Sequence, residues 1–219
     1  MGRIDATELI LCALTAGASG TGLLLHSRRP DGTHRRDMYV YYTNLSNLLV
    51  CIYYAMLFLT GVVARQTVGM VLRGSVLQMV MACCIWITHL VFAFILWPAA
   101  KRAGKKMISF ADTGRFVSNL LVHYIAPLLA LAEWAVCADK NGLNFFSPLW
   151  CLVLPFAYFA YVMIRGGRGV NIDGTSSPYP YFFIDAKRLT AAQMVRNVVM
   201  LLAVFTALGF VMAAVGKAL

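Results

Sequence analysis

The residues of this sequence best suited to chemistry are hydroxyl and amide side chains in the apolar stretch YVYYTNLSNLLV (39–50). In a helix, Thr43 and Asn47 lie one turn apart on the same face, with Ser46 beside them and Asn44 next to Thr43. Such polar side chains are costly in an otherwise apolar segment unless they face protein, water or a ligand. We therefore take this polar face as the candidate site.

The composition indicates a membrane protein. Hydrophobic residues make up 60% of the 219 residues, charged residues make up only 13%, and the mean hydropathy is +0.72. A soluble domain carries about 25% charged residues. The net charge of +10 comes from basic residues in short blocks between apolar runs, which is typical of membrane topology and does not require nucleic acid binding. The six cysteines lie within or beside apolar runs without CxxC spacing, so we interpret them as buried apolar residues.

Six apolar runs are long enough, or nearly so, to span about 30 Å of hydrocarbon as helices. A small-residue stretch, GASGTG (17–22), lies in the first run and suits close helix packing. The longest connector, 165–189, contains the aromatic stretch SPYPYFFID (177–185). The sequence therefore predicts an all-α fold, a single six-transmembrane-helix domain over 1–219, with helices near 8–26, 39–63, 75–97, 115–136, 148–164 and 190–216.

The distribution of basic residues predicts the orientation of the bundle. The first, third and fifth connectors, with the adjoining helix ends, contain fourteen of the Lys and Arg residues, and the other side contains five. Basic residues concentrate in cytoplasmic loops. We therefore expect the odd-numbered connectors to be cytoplasmic and both termini to lie outside.

Polar residues of four predicted helices fall at one depth. With a rise of 1.5 Å per residue, Thr43, His89 and His123 each lie about 6–12 Å inside the cytoplasmic end of the bundle. Ionisable side chains are rare in membrane helices and usually face a cavity or other protein groups. The predicted site, with its polar neighbours and one connector aspartate, comprises Thr43, Asn44, Ser46, Asn47, His89, Asn119, His123, Asp185, Arg196 and Asn197.

Several of these residues have a purely structural explanation that the sequence leaves open. Thr43 is also a suitable capping hydroxyl at the start of a helix. The Arg196 side chain is long enough to extend to the cytoplasmic interface. Asp185 is placed to cap the chain or to pair with the basic residues that follow it. Glu133, near the opposite end of the fourth run, is expected at the other membrane interface.

One chemistry for this layer is nucleophilic catalysis. A hydroxyl is a weak nucleophile and needs an adjacent base, and histidine is the usual one near neutral pH. Thr43 as nucleophile and His123 as base would form a dyad for acyl transfer, with Asn44, Asn47 or Asn119 as donors to the oxyanion. A lipid ester suits such a site because its carbonyl lies near the interface and its chains lie among the helices.

Two alternatives remain open from the residues alone. Haem b requires only two facing histidines, and His89 and His123 lie at matching depth on neighbouring antiparallel helices. This alternative gives no role to the polar face around Thr43. A transporter or binding protein for a small molecule is the other alternative, although the chain lacks the internal repeats of many transporters.

Three motifs, in this order within the six apolar runs, resemble the androgen-induced and androgen-dependent transmembrane protein family: YYTNLSNLL (41–49), LLVHYIAPLLALAEW (120–134) and YPYFFID (179–185). That family includes membrane threonine hydrolases that cleave fatty acid esters of hydroxy fatty acids. The layout of most of the chain is similar to that of the family's shorter prokaryotic relatives.

The resemblance implies roles for individual residues. Thr43 corresponds to the nucleophilic threonine, and His123, followed by Pro127, corresponds to the catalytic histidine. Leu120 replaces the first histidine of the pair found in animal members, so the implied substrate is no more specific than a lipid ester. The Tyr-Pro-aromatic-acidic motif of the family corresponds to Tyr179, Pro180, Phe182 and Asp185.

These expectations define a multi-pass protein of a bacterial inner (cell) membrane. Its expected partners are a lipid ester substrate and membrane lipids, without nucleic acid, and no cofactor or metal is expected. The connector segment 177–185 is expected to fold over the site as a lid or as a partly re-entrant segment. The substrate chain lengths and the oligomeric state are not determined by the sequence.

Overall fold

A computed structural model describes residues 5–28, 32–63, 66–104 and 113–218. It is 79% helical and confirms the predicted all-α fold with six apolar helices. The observed ends differ from the predicted ones by five residues at most. The helices long and apolar enough to cross a membrane are Ala6–Ser27, Tyr42–Val62, Ser75–Arg102, Gly114–Cys137, Ser147–Gly167 and Ala191–Ala218.

Two of the six spans are interrupted by π-helical turns. Phe92–Leu96 joins the α-helices Ser75–Val91 and Trp97–Arg102, and Leu121–Ile125 joins the α-helices Thr113–Leu120 and Ala126–Cys137. The 3₁₀ helices cover Arg36–Val40, Ser147–Leu152 and Phe182–Ile184. The α-helices are α1 Ala6–Ser27, α2 Tyr42–Val62, α3 Gln66–Leu72, α4 Ser75–Val91, α5 Trp97–Arg102, α6 Thr113–Leu120, α7 Ala126–Cys137, α8 Val153–Gly167 and α9 Ala191–Ala218.

Local sequence explains where several helices begin. Asp5 precedes α1 and accepts a hydrogen bond from the Thr7 N–H. Before α9, the Gln193 side chain accepts from the Thr190 N–H at 2.9 Å, and the Gln193 N–H donates back to the Thr190 hydroxyl at 3.3 Å. This reciprocal pair is a capping box, which satisfies two donors at the helix start. Proline at the first turn favours the starts of α5 and α7.

Small residues of α1 allow close helix packing, as the GASGTG stretch predicts. A Cβ atom at Gly22 would lie 2.6 Å from Cγ1 of Val122, so only glycine fits against the π turn there. A Cβ atom at Gly20 would lie 3.2 Å from the Cys51 sulfur, which is a tighter than usual contact. α1 thereby lies against α2 and against the span formed by α6 and α7.

Two apolar cores hold the bundle together. One core joins α4, α7, α8, α9 and the connector before α9, with Met79, Trp134 and Phe205 among its buried residues. The other joins α1, α2, α4 and α7, with Val50 and Leu57 completely buried. This second core contacts the middle and second half of α2, away from the polar residues at the start of that helix.

The contact between α9 and the 3₁₀ helix Ser147–Leu152 depends on Gly209. A Cβ atom at Gly209 would lie 2.8 Å from the carbonyl oxygen of Pro148, which is backbone and has no room to move. We expect Gly209→Leu to lower the free energy of unfolding in detergent by about 1–3 kcal/mol, because the larger side chain overpacks this contact. Gly17→Leu is the matched control because a Cβ at Gly17 meets no atom within 4 Å. Equal destabilisation by the two substitutions would contradict this account of the contact.

Candidate functional site

The start of α2 forms one wall of an apolar cleft between α4, α8 and α9. The empty space of this cleft is about 670 Å³, part of it open to the surroundings. Its lining is almost entirely aromatic and aliphatic, with a few hydroxyl groups. The lining residues are Tyr42, Thr43, Ile87, Thr88, Val91, Pro155, Phe156, Tyr158, Phe159, Tyr181, Phe183, Ile184, Val198, Leu201, Leu202 and Phe205.

Most hydroxyl groups of this cleft already have partners. The Tyr158 hydroxyl donates to the Val40 carbonyl at 2.9 Å, and the Tyr42 hydroxyl donates to the Cys84 carbonyl at 3.3 Å. The Thr88 hydroxyl lies 2.7 Å from that of Ser46. The remaining cleft hydroxyls, those of Thr43 and Tyr181, lie together at the polar end of the cleft, where a ligand would meet both of them.

Tyr181 lies opposite the first turn of α2. Its hydroxyl approaches the side chain and N–H of Thr43 and the N–H of Tyr42. Burial raises the pKa of Tyr181 to about 12, although these neighbouring groups act in the opposite direction. Its ring stacks on Phe183 with 5.1 Å between centroids. Tyr181 is thus a neutral hydroxyl at the positive end of a helix, where backbone N–H groups favour negative charge on a ligand.

The connector segment 177–185 covers one side of the cleft, in agreement with the expected lid. Tyr181, Phe183 and Ile184 supply lining residues from this segment. The sequence motif emphasised other residues of the segment, and Tyr181 received no role there. The signal available in the sequence was the aromatic run itself, which does not indicate which ring turns inward.

The polar residues that follow Thr43 brace α2 against its neighbours. Ser46 donates to the Thr43 carbonyl at 3.1 Å as well as contacting Thr88. Asn47 is completely buried, and its Nδ2 donates to the carbonyls of Thr43 at 2.8 Å and Val122 at 3.1 Å. Both N–H groups of Asn47 are therefore used within the protein. The expectation that Asn47 supplies a donor to an oxyanion is wrong for this geometry.

Asn44 has a similar structural role. Its Nδ2 donates to the carbonyl of Met38 at 2.7 Å and holds the 3₁₀ helix before α2. Neither Asn44 nor Asn119, which is buried on α6, lines the cleft. The expectation that these amides face a substrate oxyanion is therefore not met by their positions.

His123 lies in the π turn Leu121–Ile125 and is 5% exposed. Its ring stacks on Phe92, with 3.8 Å between centroids and 16° between the planes. In the part of the chain that the structure describes, its Nδ1 is buried without a hydrogen-bond partner. The His123 side chain does not line the cleft, and within the described residues its Nδ1 makes no hydrogen bond to Thr43. Asn47 connects the two regions through the Thr43 and Val122 carbonyls.

The two predicted haem ligands pack directly against each other's helices. His89 Nδ1 lies 2.8 Å from the His123 carbonyl oxygen, the acceptor of this hydrogen bond. The His89 ring also meets Trp86 and Tyr124 edge to face, with 5.1 Å between centroids in both pairs. A porphyrin held by both imidazoles would have to separate these contacts and the stack of His123 on Phe92. The residues as arranged do not fit haem.

Of the remaining predicted residues, Asp185 and Asn197 hold the connector before α9 in place, whereas Arg196 lies outside the site. Asp185 is buried, accepts from the Lys187 N–H at 2.9 Å and pairs with Arg188 at 3.3 Å, so it shapes the connector and does not orient His123. Asn197 donates to the Phe183 carbonyl at 2.9 Å and attaches the connector to α9. Arg196 is exposed on the outer surface of α9. Its predicted place in the polar layer is wrong, since depth alone does not fix the direction of a side chain.

Glu133 differs most from its expected place. It is completely buried, not at an interface. The Tyr54 hydroxyl donates to its Oε2 at 3.2 Å, and Gln78 Nε2 donates to its Oε1 at 3.1 Å. A buried carboxylate with these two donors forms a second polar site at the opposite end of the bundle from Thr43.

Comparisons with models of protein families, with curated proteins and with solved structures gave no match. The resemblance to the androgen-induced transmembrane proteins therefore depends on the three sequence motifs alone. The structure shows which residues of these motifs lie close together in space. The first motif supplies Thr43 and the third supplies Tyr181, and both line one cleft.

Proposed function

We propose that this protein is an intramembrane hydrolase of lipid esters in which Thr43 is the nucleophile. The observation that supports the proposal most directly is the position of Thr43 at the polar end of an apolar cleft. Pockets for small molecules are lined mainly by apolar and aromatic side chains with a few polar groups, and this cleft has such a lining. The cleft and its basic connectors are inferred to lie in the cytoplasmic half of a bacterial inner membrane, with both termini outside.

The cleft lining suits a single acyl chain. Ile87, Val91 and Leu201 offer only apolar surface, while Phe156 is 48% exposed at the edge of the cleft on α8. A chain that enters from the bilayer would lie along this surface with its ester carbonyl towards Thr43. Burial of each CH₂ group contributes about 0.8 kcal/mol, so chain length would strongly affect binding.

The proposed reaction has two steps. The Thr43 oxygen attacks the ester carbonyl, the alcohol leaves with a proton, and an acyl-threonine forms; water then releases the carboxylic acid and restores Thr43. The raised pKa of Tyr181 keeps its hydroxyl protonated at neutral pH, so it stabilises the oxyanion by donating a hydrogen bond and does not act as the base.

His123 is the proposed base that removes the Thr43 proton. Because its ring lies outside the cleft against Phe92, proton transfer requires a bridging water or a rotation of the ring. The same observation favours a second candidate function, in which the cleft binds or transfers a lipid without cleaving it. The two functions differ in whether wild-type protein releases a carboxylic acid.

The test is release of fatty acid from esters of hydroxy fatty acids by purified protein in nanodiscs, measured by mass spectrometry. We expect saturable release by the wild type and a fall in kcat of about 100-fold or more in His123→Ala, the usual contribution of a general base. His34→Ala, which alters an exposed histidine, is the control. Photocrosslinking of a diazirine fatty acid to the cleft, without ester cleavage by the wild type, would establish lipid binding and reject the hydrolase.

A further inference from the structure

Three potential metal ligands meet at the end of the bundle opposite the Thr43 cleft. Glu8 and Cys12 lie one turn apart on α1, and Glu133 lies on α7. One ligand atom from each of these residues lies within 4.8 Å of the others. All three side chains are buried, with exposures of 7%, 1% and 0%. This cluster has no part in the proposed ester hydrolysis.

Among the residues that the structure describes, the basic side chain at this cluster, Arg73, makes a hydrogen bond to one of the two carboxylates. Arg73 Nε donates to Glu8 Oε1 at 2.6 Å. In the described part of the chain, both hydrogen-bond donors to Glu133 are neutral groups, the Tyr54 hydroxyl and the Gln78 amide. An ionised carboxylate buried without a cationic partner is costly, and a bound cation would remove that cost.

Gln78 provides an independent observation that points to a bound cation. Its side chain is 1% exposed, and its amide reaches Glu133 at 3.1 Å. Within the described residues, its Oε1 is buried and receives no hydrogen bond. This unpartnered oxygen belongs to the same amide group that contacts the Glu133 carboxylate. A buried acceptor without a donor beside a carboxylate is an arrangement that a metal ion satisfies.

We propose that Glu8, Cys12 and Glu133 bind one divalent transition-metal ion of the Zn²⁺ type, with Gln78 as a supporting group beside Glu133. Thiolate and carboxylate oxygens together suit a borderline metal such as Zn²⁺, which prefers four ligands. Two carboxylates, one thiolate, the Arg73 guanidinium and a divalent ion give zero net charge. Arg73 then holds Glu8 in position from outside the coordination sphere.

The proposed ion links α1 to α7. The two helices already pack here through the second apolar core, and we expect metal binding to add to the stability of the fold. The interpretation of Cys12 as merely a buried apolar residue is replaced by a ligand role in this proposal. The cysteines of the other helices keep their apolar interpretation.

The test is titration of chelator-treated, full-length protein in detergent with Co²⁺, followed by the near-ultraviolet absorption of thiolate-to-cobalt charge transfer. We expect the wild type to bind one Co²⁺ per chain with this absorption, and Cys12→Ala to lose it. Cys51→Ala, which removes a thiol on α2, should bind as the wild type does. Gln78→Leu should weaken Co²⁺ affinity about 10–100-fold, as the loss of a supporting group does.

Stability measurements keep the proposal testable if Cys12→Ala does not fold. Glu133→Gln retains the thiol and the shape of the side chain but removes a charged ligand, so Zn²⁺ should raise its unfolding temperature less than that of the wild type. The absence of thiolate-to-cobalt absorption from the wild type would overturn the proposal. So would an unchanged absorption in Cys12→Ala, or equal stabilisation of Glu133→Gln and wild type by Zn²⁺.

Discussion

Thr43→Ala abolishes labelling of the protein by a fluorophosphonate that carries a long alkyl chain, whereas Thr88→Ala leaves the labelling largely intact. This is the result expected if Thr43 is the nucleophile. Both threonines line the cleft, so the comparison holds the surroundings and the lipid affinity nearly constant. The difference between them is that the Thr88 hydroxyl contacts Ser46 at 2.7 Å, while Thr43 faces Tyr181.

The expected effect is large because the probe reacts covalently with the attacking oxygen. Loss of a nucleophile from a catalytic unit lowers the rate on the order of 10⁴-fold or more. Thr43→Ser keeps a hydroxyl at the same place and should retain measurable labelling. The measurement is in-gel fluorescence or intact-protein mass after timed exposure to the probe. Labelling of Thr43→Ala at the wild-type rate would remove the proposed nucleophile.

Asn47→Asp is the substitution expected to destabilise the protein most. The Nδ2 of Asn47 donates to the carbonyl oxygens of Thr43 and Val122, and the side chain is completely buried. An aspartate of the same shape would place a negative oxygen against these acceptors and would leave a buried charge without a partner. We expect a loss of about 3–5 kcal/mol of unfolding free energy, the usual cost of an uncompensated buried charge.

Two control variants allow the loss of unfolding free energy in Asn47→Asp to be assigned to the buried charge. Asn47→Leu removes both hydrogen bonds without adding charge and should cost about 1–3 kcal/mol. Asn171→Asp makes the same chemical change at an exposed position and should change stability little. Unfolding in detergent micelles, followed by tryptophan fluorescence, measures all three variants. Similar stability of Asn47→Asp and Asn47→Leu would show that Asn47 does not face the carbonyls.

The sequence predicted the fold well because hydropathy acts over whole segments. Each span needs about 20 apolar residues, and this requirement locates helices without knowledge of their neighbours. The rise per residue also predicts depth along a helix, and the contact between His89 and the His123 carbonyl agrees with the similar depth expected for these two residues. Asn44, Ser46 and Asn47 are buried as the polar face of α2 indicated.

Rotation of each helix about its axis was not predictable from depth. Arg196 and Asn197 are adjacent in sequence, yet only Asn197 turns towards the connector. Glu133 is near the end of an apolar run, as an interfacial residue would be. Its partners Tyr54 and Gln78 lie 79 and 55 residues away in sequence, so no local pattern indicates its burial. The position of Tyr181 in the cleft was not predictable either, because it depends on how the connector before α9 folds back onto α2.

The π turn Leu121–Ile125 has a mechanical consequence for His123. In this turn the Ala126 N–H bonds to the Leu121 carbonyl, five residues back, where a regular α-helix bonds four residues back. A change to regular α-helical bonding moves the helix register by one residue, and each residue of an α-helix turns by about 100°. The direction of the imidazole is therefore coupled to helix register, and a register shift would take it off Phe92 without breaking the span.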